Sequence, residues 1–335
     1  MIVVLRPDAT DTQRARIEHR LREHGVEPRP AESVGAPGAV ALVAAGADPA
    51  CVSDLPGVAA VYRVPSRHPL ASRPGSRTVV HIGPATVGDG SIQIIAGPCA
   101  VESPEQIEQI AAACARAHVT VLRGGAFKPR TSPYSFRGVG HEALAWMRAA
   151  ADRHGLAVVT EALDTAHLGT VAEHADLVQI GSRNMQNFAL LAAAGRCGRA
   201  VLLKRSASAT LEEWLLAAEY LLDAGCASVI LCERGVRGFD PSARHLLDVA
   251  AVPLLRLRTH LPVAVDPSHG VGVRAAVLPM ACAAAAAGAD AVMIEVHPDP
   301  GAARSDGFQA LPLGQLESLA RRVHAVARAA RVAEP

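Results

Sequence analysis

Four side chains of metal-ligating type stand directly after, or at the end of, short apolar runs. Cys99 follows IQIIAG, His269 follows PVAVDP, Glu295 sits in AVMIEV, and Asp306 comes shortly afterwards in SDG. A thiol, an imidazole and two carboxylates form a donor set of borderline softness, better matched to Mn, Fe, Co or Zn than to an all-oxygen magnesium site. Their spacing is not diagnostic by itself, because the residues come from separate stretches that only a fold can gather.

Cations stand at or after four other runs: Arg123 with Lys128 and Arg130, then Arg183, Lys204, and Arg234 with Arg237. If they converge, the substrate is a polyanion, since planar guanidinium forks suit phosphate and carboxylate oxygens. Pairing with a local carboxylate such as Glu161 or Glu233 would explain any one of them, but explains all four ends poorly. The lysines carry a further signal. Of 33 basic residues only Lys128 and Lys204 are lysines, leaving 31 arginines. A coding bias replaces lysine wherever a solvated charge suffices; it meets resistance where a compact three-donor ammonium is needed.

The elements that must position these groups are legible as eight apolar runs, IQIIAG, VTVLRG, LAVVTE, DLVQIG, AVLLKR, SVILCE, PVAVDP and AVMIEV. Helical segments follow them, for example Pro104 to Ala117, Leu211 to Asp223 and Arg274 to Ala287. Eight such units over about 240 residues predict an α/β fold, a (β/α)8 TIM barrel, with a doubly wound sheet as the alternative. In a barrel, whatever follows each strand lies at one face, which would gather the residues above. Gly270-Val271-Gly272-Val273-Arg274-Ala275 fits the outline of a dinucleotide fingerprint, but it stands in the seventh unit behind DPSH, where a tight turn before a helix explains it.

Upstream, residues 1–64 carry a separate pattern: a strand Ile2 to Leu5, a helix Thr10 to His24 stopped by Gly25, strands Val26 to Pro28, Ala39 to Val43 and Val58 to Tyr62, and a helical turn or two at Pro49 to Leu55. The order βαββαβ predicts a small ferredoxin-like domain. Residues 65–77 read as a linker, and 78–335 as the barrel with an N-terminal β-hairpin turning at Gly88-Asp89-Gly90.

Composition excludes several classes. With 335 residues, 50% hydrophobic, 19% charged and a net charge of +1, the chain is neither a disordered tail nor a polybasic binder. Three Tyr, two Trp and five Phe leave little surface on which to stack bases. Seven cysteines without a CxxC spacing argue against disulfides and zinc knuckles. The start MIVVLRPDATD lacks a signal-peptide pattern and Met280 to Gly288 is too short to span a bilayer, so a cytoplasmic protein is expected.

The motifs AGPCAVES, LRGGAFKPRTSPYSFRG, QIGSRNMQNF, LLKR, ILCERGVR, VDPSHG and EVHP followed by SDG resemble those of 3-deoxy-D-arabino-heptulosonate 7-phosphate (DAHP) synthase, type I. The resemblance covers essentially the whole chain and is closest to the subtype with an N-terminal ferredoxin-like regulatory domain. It implies condensation of phosphoenolpyruvate with erythrose 4-phosphate and water, the first step of the shikimate pathway to the aromatic amino acids. It also implies that Cys99, His269, Glu295 and Asp306 bind a divalent metal. Arg123 and Lys128 would hold the phosphoenolpyruvate carboxylate, Arg183, Lys204 and Arg234 its phosphate, and Arg130 and Thr131 the aldose phosphate. Lys128, His269 and Cys99 would then be the catalytic positions. The proton acceptor for the water stays open among Glu161, His269 and a water on the metal.

The chain departs from the family pattern at Phe127, Ser182, Ser206 and Gly238. Two further expectations are an aromatic amino acid effector and a homodimer or homotetramer; a chorismate mutase partner is a third. The alternatives are a 3-deoxy-octulosonate 8-phosphate synthase, which usually reads KANRS where this chain reads KPRTS, a DAHP synthase specialised for secondary metabolism, and a non-catalytic paralogue.

Overall fold

In the computed structural model, residues 1–30, 41–44, 48–62, 66–72, 76–130 and 132–331 are described. The chain divides into two units, Met1–Ser72 and Arg73–Pro335. The first consists of β1 (Ile2–Leu5), α1 (Asp11–Glu23), β2 (Arg29–Pro30), β3 (Ala41–Val43), a single 3-10 turn at Pro49–Cys51, and β4 (Val58–Tyr62). Its strands form one antiparallel sheet in the order β2-β3-β1-β4. Helix α1 starts with a reciprocal Thr10–Gln13 capping box and buries Ile17 and Leu21 with Val3, Leu5, Leu42 and Val58.

One expectation in this unit changes, and a second resolves to its shorter form. The strand placed at Val26 to Pro28 begins only at Arg29, because Val26 N–H donates to Leu21 O and Gly25, at φ +73°, donates to Arg22 O. Val26 thus belongs to the helix stop, where the 6→1 bond satisfies an orphan carbonyl. The helical segment expected over Pro49 to Leu55 is one 3-10 turn, capped by Asp48. Positions 39 and 40 of the strand expected at Ala39 to Val43 lie outside the described residues.

The second unit opens with an antiparallel hairpin, β5 (Val80–Ile82) and β6 (Ala85–Val87). Its turn falls at Gly83-Pro84, with Gly83 at φ +52°, and not at Gly88-Asp89-Gly90 as expected. Gly88 and Gly90, also at positive φ, steer the chain out of the hairpin into the barrel; a Cβ on Gly88 would sit 2.4 Å from Thr78 O.

The barrel alternates β7 (Gln93–Gly97), α2 (Pro104–Arg116), β8 (Val121–Arg123), α3 (His141–His154), β9 (Ala157–Ala162), α4 (Thr165–His174), β10 (Leu177–Ile180), α5 (Phe188–Gly195), β11 (Ala200–Lys204), α6 (Leu211–Asp223) and β12 (Val229–Glu233). It continues through α7 (Ala251–Arg256), β13 (Val263–Val265), α8 (Pro267–Val271), α9 (Arg274–Ala286) and β14 (Ala291–His297), with β15 (Leu311–Pro312) and α10 (Leu316–Arg331) at the end. β7 to β14 are parallel neighbours, and β14 pairs with both β13 and β7, closing an eight-stranded α/β barrel. Among the described residues no helix is long and apolar enough to cross a membrane.

Strand residues alternate between faces with period two. Ile95, Val121, Val159, Leu177, Leu202, Ile230, Ala264 and Met293 fill the barrel, sharing one core with Val80, Ile82, Ala85 and Val87 of the hairpin, which covers the end where the strands begin. Continuing the same parity brings the next inward positions, toward the strands' C-terminal ends, to Arg123, Glu161, Gln179, Lys204, Cys232, Asp266 and Glu295, with Gly97 on β7. One further step reaches Cys99 and Arg234. Gly97 is required by proximity: a Cβ there would lie 1.8 Å from Arg123 O.

Candidate active site

Cys99, His269, Glu295 and Asp306 each offer one ligand atom, and these atoms all lie within 4.8 Å of one another. They arrive from three loops. Cys99 leaves β7; His269 sits on α8, a one-turn helix with Asp266 as N-cap; Glu295 is on β14; and Asp306 lies in the loop after it. Asp306 takes φ +52°, a left-handed conformation that Asp tolerates better than most side chains. The Cys99 thiol donates to Asp306 Oδ2 at 3.1 Å, and His269 Nε2 lies 3.4 Å from Glu295 Oε2 and 3.9 Å from Asp306 Oδ2.

The surroundings fix each donor. His269 Nδ1 donates to Asp266 Oδ2 at 2.9 Å, leaving Nε2 as the free lone pair. Asp266 is fully buried, accepts the His269 backbone N–H at 3.0 Å, and pairs with Lys204 Nζ at 2.5 Å. Gln309 Nε2 donates to Glu295 Oε2 at 2.7 Å, and Arg244 Nη1 reaches Gln309 Oε1 at 3.2 Å and Asp306 Oδ1 at 3.5 Å.

Burial pushes the Glu295 carboxyl up to about 8, against the opposing Arg123 charge 3.9 Å away and the Gln309 hydrogen bond. It also pushes the Cys99 thiol up, with Lys128 acting in the other direction. His269 is pushed down, first by burial, so its ring is neutral at pH 7. Burial would raise Asp266, but the His269 ring and Lys204 outweigh it and hold this carboxyl well below the usual range. The cluster thus holds protons on Cys99 and Glu295 that a divalent cation would displace. Two ligands of one ion at about 2.0–2.4 Å can be at most about 4.8 Å apart, so the four donors fit a single metal.

The cations gather at the same face. Arg123 is buried, and its Nη1 has no hydrogen-bond partner. Lys128 Nζ donates to Cys99 O at 3.0 Å, beside the metal-capable donors. Among the described residues, Lys128, Arg130, Arg183 and Arg234 have no carboxylate in ion-pair range, while Lys204 is committed to Asp266. Burial pushes Arg234 down from its ordinary value; Asp266 opposes this, and Arg244 and Arg183 add to it. His245 contacts Arg234 Nη1 at 3.2 Å through Nε2. Burial and the charges of Arg234, Arg244 and Arg237 push it down to about 4. Arg234 and Arg237, with no carboxylate in ion-pair range among the described residues, leave positive charge beside this neutral histidine, suited to an anion.

Arg130 Nε donates to Phe136 O at 2.9 Å in the loop between β8 and α3. Thr131 lies outside the described residues. Glu161 pairs with Gln179 Nε2 at 3.3 Å rather than with a cation, and Glu233 takes Arg205 Nη1 at 3.0 Å, which also reaches Asp248 at 2.8 Å. The glycines of the dinucleotide-like stretch serve packing: Gly272, at φ +67°, ends α8.

Sequence reasoning missed Asp266, Gln309, Arg244, Arg205 and His245. Asp266 had a signal, since an aspartate before Pro and three residues ahead of a ligand is an N-cap pattern. Gln309 stands three residues beyond Asp306 with no comparable mark.

The profile of the DAHP synthetase I family matches residues 77–331. The phospho-2-dehydro-3-deoxyheptonate aldolase of Thermotoga maritima is 43% identical, the alignment covering 98% of each chain. Its crystal structure superimposes with a TM-score of 0.78 at 41% identity, over 98% of this chain and 97% of that one. A truncated form of 3-deoxy-D-arabino-heptulosonate 7-phosphate synthase from the same organism gives 0.74 at 44% identity, over 78% of this chain and 97% of that one. The 2-dehydro-3-deoxyphosphooctonate aldolase of Nitrobacter winogradskyi is more distant, 32% identical over 77% of this chain and 96% of its own.

Proposed function

The chain belongs to the DAHP synthetase I family, and on that premise we infer the reaction it carries out and the task of each side chain. It is a 3-deoxy-7-phosphoheptulonate synthase, joining phosphoenolpyruvate, erythrose 4-phosphate and water into DAHP and inorganic phosphate at the entry to the shikimate pathway. C3 of the enol bonds to the aldehyde carbon, water adds at C2, and the C2–O bond to phosphate breaks. The observation that carries this reading is the buried Arg123 Nη1, without a hydrogen-bond partner and 3.9 Å from Glu295 Oε2, beside four converging metal-capable donors.

We assign Arg123 and Lys128 to the phosphoenolpyruvate carboxylate. Arg183, Arg234 and the donors Lys204 has left beyond Asp266 go to its phosphate. Arg130 and Thr131 go to the aldose phosphate. These cations hold the two anions in register and stabilise the charge on the departing phosphate, so the rate gain comes from positioning and preorganised electrostatics. Cys99, His269, Glu295 and Asp306 would hold the metal, and a thiol in the set favours Mn, Fe, Co or Zn. Such an ion supplies Lewis acidity for the aldehyde oxygen. Asp266 keeps His269 Nε2 free, and Gln309 orients Glu295.

We read the N-terminal unit as a ferredoxin-like regulatory module, supported by its β2-β3-β1-β4 antiparallel order, with an aromatic amino acid as effector. A homodimer or homotetramer and a chorismate mutase partner belong to the same reading. So does a cytosolic location, since both substrates are phosphorylated metabolites retained inside cells by their charge.

The test is phosphate release from phosphoenolpyruvate with each aldose, with and without chelator. Release with erythrose 4-phosphate that a chelator abolishes is expected; turnover of arabinose 5-phosphate alone would overturn the assignment. Deleting residues 1–76 should leave catalysis intact and abolish inhibition by the effector amino acid; inhibition that survives would count against the regulatory role.

A further inference from the structure

The loop that carries Asp306 and the loop that carries Lys128 and Arg130 meet at one point outside the reacting centre. The Arg304 guanidinium lies over the ring of Phe136, 3.7 Å from its centroid. Arg304 stands two residues before Asp306, and its backbone N–H is anchored on Glu102 Oε1 at 2.9 Å, in the loop leaving β7. Phe136 in turn accepts the Arg130 Nε–H on its carbonyl oxygen at 2.9 Å. One residue therefore receives the metal loop on its ring and the aldose-phosphate arginine on its backbone.

We propose that Arg304 and Phe136 form a clasp coupling the Asp306 loop to the Arg130 loop, so that Arg304 is a positioning residue for the aldose phosphate. This rests on the assignment of Arg130 made above. If Asp306 is fixed by the metal it would help to hold, Arg304 two residues before it would be fixed with it, and Phe136 and, through its carbonyl, Arg130 would be set before the sugar arrives. By linkage the aldose phosphate then favours metal binding to the same degree. Lys128 shares this loop, its backbone N–H donating to Arg137 O at 2.8 Å, but the Nζ that would meet phosphoenolpyruvate is held outside the clasp, by Cys99 O at 3.0 Å. The clasp thus acts on one substrate and not the other.

The experiment uses the full chain loaded with Mn2+. Arg304→Gln removes the cation while keeping the backbone anchor, and Phe136→Leu removes the π face while keeping the carbonyl. Each should raise KM for erythrose 4-phosphate about 2- to 5-fold, the range an exposed cation–π contact corresponds to. KM for phosphoenolpyruvate and kcat should stay at wild-type values. The double variant should be no worse than either single one, and Phe136→Tyr should behave as wild type.

Independently of turnover, Mn2+ should slow amide hydrogen exchange over residues 124–140 in the wild type, and markedly less in the two variants. Unchanged KM and exchange, multiplying losses in the double variant, or an equal rise in both KM values would overturn the clasp. A wild type that does not use erythrose 4-phosphate would instead refute the reaction assigned above, while the exchange measurement still reads the clasp.

Discussion

Replacing Lys204 tests why this chain keeps lysine at two positions only. Lys204 Nζ sits 2.5 Å from Asp266 Oδ2 with both side chains almost wholly inside, and the same carboxylate fixes the His269 ring. Lys204→Met leaves Asp266 buried without its compensating charge. Breaking one partner of a buried pair costs about 3–5 kcal/mol. At roughly 2–4 °C per kcal/mol for a domain somewhat below this size, Tm should fall by about 6–20 °C. Lys204→Arg keeps the charge but forces a planar fork into the space of an ammonium, an overpacking cost of about 1–3 kcal/mol, and it would misplace the donors proposed above for the phosphate.

The pH dependence follows from the depressed Asp266. Its stabilisation is fully present above its unfolded pKa of about 3.9 and lost only as pH falls through its lower folded value. The Asp266 contribution to wild-type stability should therefore be flat from pH 8 to about 4 and be lost below that, and the Tm gap to Lys204→Met should close as pH falls. Calorimetry across pH, with kcat/KM for phosphoenolpyruvate alongside, reads all of this. A Lys204→Arg variant with wild-type Tm and wild-type kcat/KM would refute the argument and return the two lysines to chance.

Metal affinity should rise with pH, more steeply below about 8 than above it, because an ion must displace the proton that burial keeps on Glu295 as well as the one on the raised Cys99 thiol. Each proton released makes binding about tenfold weaker per pH unit below the ligand's pKa; titration calorimetry in buffers of different ionisation enthalpy counts the protons, and a pH-independent Kd would contradict it. Gly97→Ala should lower Tm sharply, since the added Cβ would lie 1.8 Å from Arg123 O and must force β7 away from β8. A Tm within about 1 °C of wild type would show that the strands part freely, against the tight packing of such interiors.

The barrel was legible because eight runs of buried β-formers repeat with helices between them, and the inward parity that makes Val121 core also makes Arg123 site. Local chemistry could not reveal the partners. Gln309 and Arg244 matter through residues on other loops, and nothing in SDGFQ or PSARH announces a contact 62 residues apart between Arg244 and Asp306. The hairpin was misplaced because both glycine clusters, at 83 and at 88 to 90, have turn chemistry; strand pairing, a non-local property, selects the first. Arg205 was passed over beside the more conspicuous Lys204, although it is Arg205 that occupies Glu233.

The hairpin also has a kinetic meaning. With Val80, Ile82, Ala85 and Val87 plugging the end where the strands begin, the barrel is a cup with a single mouth. Arg123 and Lys204 lie inside it, whereas Arg130 belongs to a loop at the rim. A vessel filled through one opening fills in order of depth, so with the substrates assigned as proposed above the three-carbon reactant should enter before the sugar covers it. Once the sugar is seated, the smaller molecule has no rear exit, and a sugar phosphate that arrives first blocks the queue. Substrate inhibition by the aldose, relieved by excess phosphoenolpyruvate, is the traffic pattern such a dead end imposes.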